Sequence, residues 1–136
     1  MRNSGRPTLN TGIRGTIEKT VSSEMTAKSV GSGELEVLAT PVLIALAEEC
    51  SWKSVVQELD EGQGTVGTRM DLKHLSATPV GMSVNCTSEL VEVDGRKLVF
   101  AIEAFDEAGK IAEATHERFI VDNEKFMSKA ANKGKE

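Results

Sequence analysis

Glu48 interrupts an otherwise apolar row, Ile44, Glu48, Trp52, Val55 and Leu59, whose members recur every three or four residues along a predicted helix. A carboxylate on such a row gives up its water unless something bonds to it. A group held that way tends to have a shifted pKa and a chemical task. The plain alternative is a slightly rotated helix from which Glu48 reaches solvent or an ordinary salt bridge. Its neighbour Glu49 reads differently, because Lys53 stands four residues on and pairs with it on a polar edge.

His74 raises the same question on a strand. It shares parity with Thr68, Met70 and Leu72, so it faces the side that holds apolar residues. An imidazole there can move protons near neutral pH or orient a carboxylate. It can also be a satisfied core histidine or a strand end at the surface. Thr40, followed by Pro41, reads as a helix N-cap. A helix N-terminus gathers unbonded N–H groups and positive potential, so a hydroxyl placed there can also hold a carbonyl oxygen that is gaining charge.

Two further groups are ambiguous. Gly62-Gln-Gly64-Thr-Val-Gly67 is rich in glycine but precedes a strand, which excludes dinucleotide and nucleoside-triphosphate fingerprints. It is a plain loop or a set of backbone N–H groups that touch a ligand. His116 and Arg118 stand two apart on a strand and are either a solvent face or a place where the Arg holds a carboxylate or phosphate.

The elements that must position these residues follow from periodicity. Ile13–Val21 predicts a first strand, and residues 22–38 are irregular. A helix is predicted from Thr40 to about Leu59, with Gly62 as a left-handed terminator. The period then changes to two. Strands are predicted over 68–74, 82–93, 96–105 and 110–121. Ala77–Gly81 reads as a turn, Asp94-Gly95 as a type I′ hairpin and Asp106–Gly109 as a second hairpin loop. The inward faces are read as Leu98, Phe100, Ile102 and Ala104 on one strand and Ile111, Thr115, Phe119 and Val121 on the last. One long helix plus an antiparallel meander is an α+β, two-layer arrangement, with the sheet wrapped around the helix. The domain organisation is a flexible segment over 1–12, one domain over 13–130 and a polar tail over 131–136.

Composition narrows the function classes. The chain has 136 residues, a single domain's length, with 16 Lys and Arg against 21 Asp and Glu, a net charge of −5. Its pI near 5.2 argues against nucleic acid as a partner. Aromatics make up 4% and there is no Tyr, too little for a base-stacking platform. Cys50 and Cys86 have neither metal spacing nor a disulfide framework, so no metal site is expected. The longest apolar run, Val42–Ala47, is far below a membrane span, and the N-terminus lacks the apolar stretch of a secretory signal. A cytoplasmic protein without membrane or nucleic-acid partners is expected.

Several motifs in order carry a family resemblance. The helix opened by Val37-Leu-Ala-Thr40, a Glu eight residues later, Gly64-Thr-Val-Gly67-Thr, Lys73-His74-Leu-Ser-Ala-Thr-Pro79 and Thr115-His-Glu-Arg118 resemble the hotdog-fold acyl-CoA thioesterases, and among them the fluoroacetyl-CoA thioesterase family. The likeness covers roughly residues 12–130. It implies a hotdog fold and hydrolysis of a small or medium acyl-CoA. The implied catalytic group is Thr40, Glu48 and His74. Gly67 would present its backbone N–H to the acyl group, and Arg118 would lie near the acyl pocket. It implies no cofactor, coenzyme A entering only as part of the substrate. It also implies a homodimer, with tetramers as a further step, in which Glu48 and His74 of one site come from different chains. The family's Phe-containing lid before the helix has no counterpart in Ser29-Val-Gly-Ser-Gly-Glu-Leu-Glu36, which points to a short acyl group other than fluoroacetyl. A hotdog dehydratase or hydratase and a non-catalytic acyl-CoA-binding module are the rival readings. Scattered cations such as Arg96, Lys97 and Lys110 are available to the coenzyme's phosphates.

Overall fold

A computed structural model describes residues 9–135. The order is β1 (Arg14–Thr20), a 3-10 turn over Ser23–Met25, the one-turn helix α1 (Ala27–Val30), and the long helix α2 (Thr40–Val55). A second 3-10 turn over Val56–Glu58 leads to β2 (Gln63–His74), β3 (Ser83–Asp94), β4 (Lys97–Asp106), β5 (Gly109–Asp122) and α3 (Asn123–Ala131). The five strands form one antiparallel sheet in the order β1-β3-β4-β5-β2. This is the α+β arrangement expected from the periodicity. Among the described residues, no helix is long and apolar enough to cross a membrane. Residues 1–8 of the expected N-terminal segment, and residue 136 of the tail, lie outside the described ones.

The core is aliphatic, as a chain so poor in aromatics requires. Leu43, Ala47, Cys50 and Val55 of α2 pack on Val84, Cys86 and Leu90 of β3 and on Leu98, Phe100 and Ile102 of β4. The buried face of α2 is therefore the row through 43, 47, 50 and 55. The neighbouring row is different from expectation: Ile44 and Glu48 are half-buried and Trp52 is 39% exposed. Glu48 does not break the core row but borders it, on the flank toward β2. The Glu49–Lys53 pair forms as read. Cys50 and Cys86 are both buried free thiols.

Three strand features differ from the reading by period. On β5 the inward residues are Ala112, Ala114, His116, Arg118 and Ile120, while Phe119 is 41% exposed. Ile111 is also buried, because the β4–β5 ladder shifts register between Ala104 and Phe105, and that slip inverts parity beyond it. Gly62–Gly67 is not a loop: β2 begins at Gln63 and pairs with β5 from Gln63↔Asp122 onward, with a register shift between Gly67 and Arg69. The first hairpin places Gly95 and Arg96 at its two central positions, with Gly95 alone at positive φ (62°). That is the demand of a type II′ turn, not of the type I′ turn read from Asp94-Gly95. Beyond β5 the chain is helical over Asn123–Ala131. The Asp122 side chain caps α3 by accepting from Lys125 N–H at 3.0 Å.

Candidate active site

The first cluster joins the start of α2 to the end of β2. Ala39, in extended conformation, is the N-cap of α2, so Thr40 is the first helical residue and not the cap. Its hydroxyl is freed for another partner and lies 2.7 Å from His74 Nδ1. Backbone bonds hold both sides of this contact. Leu38 N–H donates to the Thr78 carbonyl at 2.9 Å, Ala39 N–H to the Met25 carbonyl at 2.9 Å, and Leu75 N–H to the Ile111 carbonyl at 2.7 Å. Thr78 is fully buried and its hydroxyl donates to Asp106 Oδ2 at 2.8 Å. The segment expected as a mere turn thus clamps the helix entry against the strand that carries His74.

The imidazole of His74 is half-buried, and among the described residues its Nε2 has no hydrogen-bond partner although the atom is shielded from water. Burial lowers its pKa below the ordinary imidazole value, and the Ser76 backbone acts weakly in the opposite sense. A cleft of about 330 Å³ opens here, lined by Val37, Leu38, Thr40, His74, Leu75 and Ala77. A larger cleft, about 440 Å³, lies on the outer face of the sheet. Its wall holds the Arg14–Glu89 pair and Lys110 bound by Glu103 and Glu113. None of the predicted site residues lines it, and Lys110 is already neutralised there. Of the predicted site residues, Thr40 and His74 line the smaller cleft.

The second cluster surrounds Gly67. A Cβ added at Gly67 would stand 2.8 Å from Glu48 Oε2, 3.2 Å from Arg118 Nη1 and 3.3 Å from His116 Cε1. Glycine is needed because three side chains approach the backbone, not because of a left-handed φ. Arg118 is 6% exposed and His116 is 1% exposed. The Arg118 Nε–H donates to Thr65 Oγ1 at 2.8 Å and Nη2–H to the Thr65 carbonyl at 2.9 Å. Its Nη1–H donates to His116 Nε2 at 3.1 Å. Among the described residues Arg118 forms no ion pair, and Glu48 is the carboxylate whose charge it feels. A guanidinium, a carboxylate and an exposed backbone glycine therefore meet without saturating one another.

Within one protomer the structure brings Thr40 to His74, and Glu48 to Gly67 and Arg118, but it does not unite the two groups. Seven positions of β2 separate Gly67 from His74, on the order of 20 Å of strand. The sequence reading did not single out Thr65, and it left His116 open between a solvent face and a site, which its burial now resolves against the solvent face. The signal was available for His116: Ala112, Ala114 and Ile120 share its parity, and an imidazole and a guanidinium among them mark a buried polar patch.

Comparison with known proteins supplies the family. The family model of the fluoroacetyl-CoA-specific thioesterase matches residues 21–124. The chain is 37% identical over 98 residues to the fluoroacetyl-CoA thioesterase of Streptantibioticus cattleyicolor, covering 72% of this chain and 70% of that one. Among solved structures, the fluoroacetyl-CoA thioesterase FlK superposes with a TM-score of 0.87 at 31% identity, covering 92% of this chain and 97% of that one. A thioesterase superfamily member from Thermus thermophilus shares the fold, with a TM-score of 0.82 at 24% identity over 89% and 90% of the two chains. With its five-stranded sheet around a long helix, the chain belongs to the fluoroacetyl-CoA-specific thioesterase family of hotdog-fold thioester hydrolases.

Proposed function

We propose that the protein hydrolyses a short acyl-CoA to the free acid and coenzyme A, with Thr40, Glu48 and His74 as its catalytic group. The observation that carries this is the placement of two incomplete half-sites toward opposite ends of β2, a strand whose outer edge pairs with no other strand among the described residues. Antiparallel pairing of β2 with its copy, about a two-fold axis near the strand's middle, carries His74 of one protomer toward the Gly64–Gly67 end of the other. One site then takes Thr40 and His74 from one chain and Glu48, Gly67 and Arg118 from its partner. The homodimer is the functional unit in this reading.

At such a site the Gly67 N–H polarises the thioester carbonyl as charge develops on its oxygen. Glu48 supplies the carboxylate, either taking a proton from water as the water oxygen attacks the carbonyl carbon or attacking that carbon itself. The C–S bond breaks in both routes; in the second, water then cleaves the acyl–Glu48 anhydride, which releases the free acid and restores the carboxylate. The departing thiolate is protonated from the His74 side, with Thr40 holding the imidazole through Nδ1. Arg118 lies beside the acyl position as a fixed cation. No Phe occurs between Ser29 and Glu36, and Val30 and Leu35 there are 44% and 70% exposed, which supports an acyl group other than fluoroacetyl.

The test is thiol release from a panel of acyl-CoAs. Glu48→Gln is expected to lower kcat by at least about 100-fold in a folded protein. Dimers that combine one Glu48→Gln chain with one His74→Ala chain should regain part of the activity, because one of their two sites is intact. Binding of acyl-CoAs without thiol release would leave a binding module instead. Loss of a thioester substrate without free thiol would favour a dehydratase or hydratase.

A further inference from the structure

His116 is buried at 1% exposure and both of its ring nitrogens are committed. Nδ1 lies 2.7 Å from the Arg69 carbonyl and Nε2 lies 3.1 Å from Arg118 Nη1. A carbonyl only accepts and a guanidinium only donates. The ring must therefore donate from Nδ1 and accept at Nε2, which makes it the neutral Nδ1–H tautomer. The Phe100 ring packs beside it at 6.2 Å between centroids and limits its rotation.

The two partners stand on either side of a structural irregularity. Arg118 is bound through Nε and Nη2 to Thr65, two residues before Gly67. Arg69 is the residue at which the β2–β5 ladder resumes after its register shift. The imidazole spans this bulge, and its Cε1 faces Gly67, 3.3 Å from where a Cβ would stand. With His116 in place the guanidinium is anchored before the bulge through Thr65 and after it through the Arg69 carbonyl. Burial first, and then the Arg118 charge, disfavour protonation of the ring, outweighing the bond to the Arg69 carbonyl and the charges of Glu48 and Glu117, which act in the opposite sense. A second ring proton would set donor against donor at Arg118.

We infer that His116 is a positioning residue: as the neutral Nδ1–H tautomer it ties the Arg118 guanidinium to the backbone beyond the Gly67 bulge. It thereby fixes the Gly67 N–H and the cation relative to the reacting carbonyl. The catalytic consequence rests on the thioesterase reading above, whereas the tether itself does not.

His116→Asn and His116→Gln separate the tether from simple filling of a buried space. The Asn amide can take the place of Nδ1 beside Arg69 but falls short of Arg118, while the Gln amide extends to the position of Nε2. With the acyl-CoA that the wild type turns over fastest, Asn is expected to lower kcat by about tenfold or more with KM within about threefold, and Gln to recover most of that loss. Backbone amide exchange over 65–70 in the Asn variant should quicken by about tenfold relative to β3. Wild-type kcat and exchange in a folded Asn variant overturn the inference. Equal losses in both variants, with exchange raised evenly across the sheet, also overturn it. If the wild type releases no thiol from any acyl-CoA, the thioesterase reading falls, and local exchange alone decides the tether.

Discussion

The Thr40 hydroxyl lies 2.7 Å from His74 Nδ1, which links the first residue of α2 to the last residue of β2. The contact exists because Ala39, not Thr40, occupies the N-cap position. Thr40 thus carries no capping duty, and its hydroxyl serves to orient an imidazole. The same arrangement leaves Nε2, shielded from water, as the ring nitrogen without a hydrogen-bond partner among the described residues.

Thr40→Val should therefore separate activity from stability. The hydroxyl is exposed and caps nothing, so the unfolding midpoint is expected to stay within about 3 °C of the wild type. Loss of the bond to His74 should lower kcat/KM by about 10-fold to 100-fold, and Thr40→Ser should retain most of the activity. Thiol-release kinetics beside a thermal melt checks both. A large fall in the midpoint with kcat unchanged would make Thr40 structural.

The two histidines set a stability slope. Burial holds both His74 and His116 below the ordinary imidazole value of 6.5. The unfolded chain therefore takes up protons first as pH falls. Stability should decline from about 6.5 downward as the unfolded histidines charge. Glu113, lowered by its bond to Lys110, contributes only nearer 4.5 and below, so the window from 6.5 to 5 reports the imidazoles. Urea unfolding across that window should show the decline, with a shallower slope in His116→Gln. Stability that rises on acidification would contradict the burial of both rings.

Gly15 provides a test of packing remote from the site. It lies on β1, at the sheet edge opposite β2. A Cβ there would stand 2.7 Å from the Cys50 carbonyl oxygen, 2.8 Å from Ser54 Cβ and 3.0 Å from Ser88 Oγ. Two of these are backbone or stem atoms that cannot swing aside. Gly15→Ala is expected to destabilise by about 1–3 kcal/mol in urea unfolding, while kcat of the folded fraction is unchanged. An alanine tolerated without cost would mean that β1 sits further from α2 than these distances give.

Much of the architecture was legible in local pattern. The start of the long helix at Thr40, the inward face of β4 and the positions of both hairpins follow from periods of 3.6 and 2, which each segment carries within itself, whereas the helix expected to about Leu59 ends at Val55. Glu48 and His74 stood out as ionisable groups on rows that hold apolar residues, and Thr40 as a hydroxyl at the start of the helix. What tertiary structure decided is non-local. The parity of β5 was set by a register slip against β4, and Gly62–Gly67 became strand because β5 supplied partners for it. Thr40 gave up the cap because Ala39 was held extended by Met25. Glu48 found Gly67, His116 and Arg118 because a glycine on an adjacent strand let three side chains approach. Each of these depends on which distant backbone lies alongside, and that is settled only when the sheet closes on the helix.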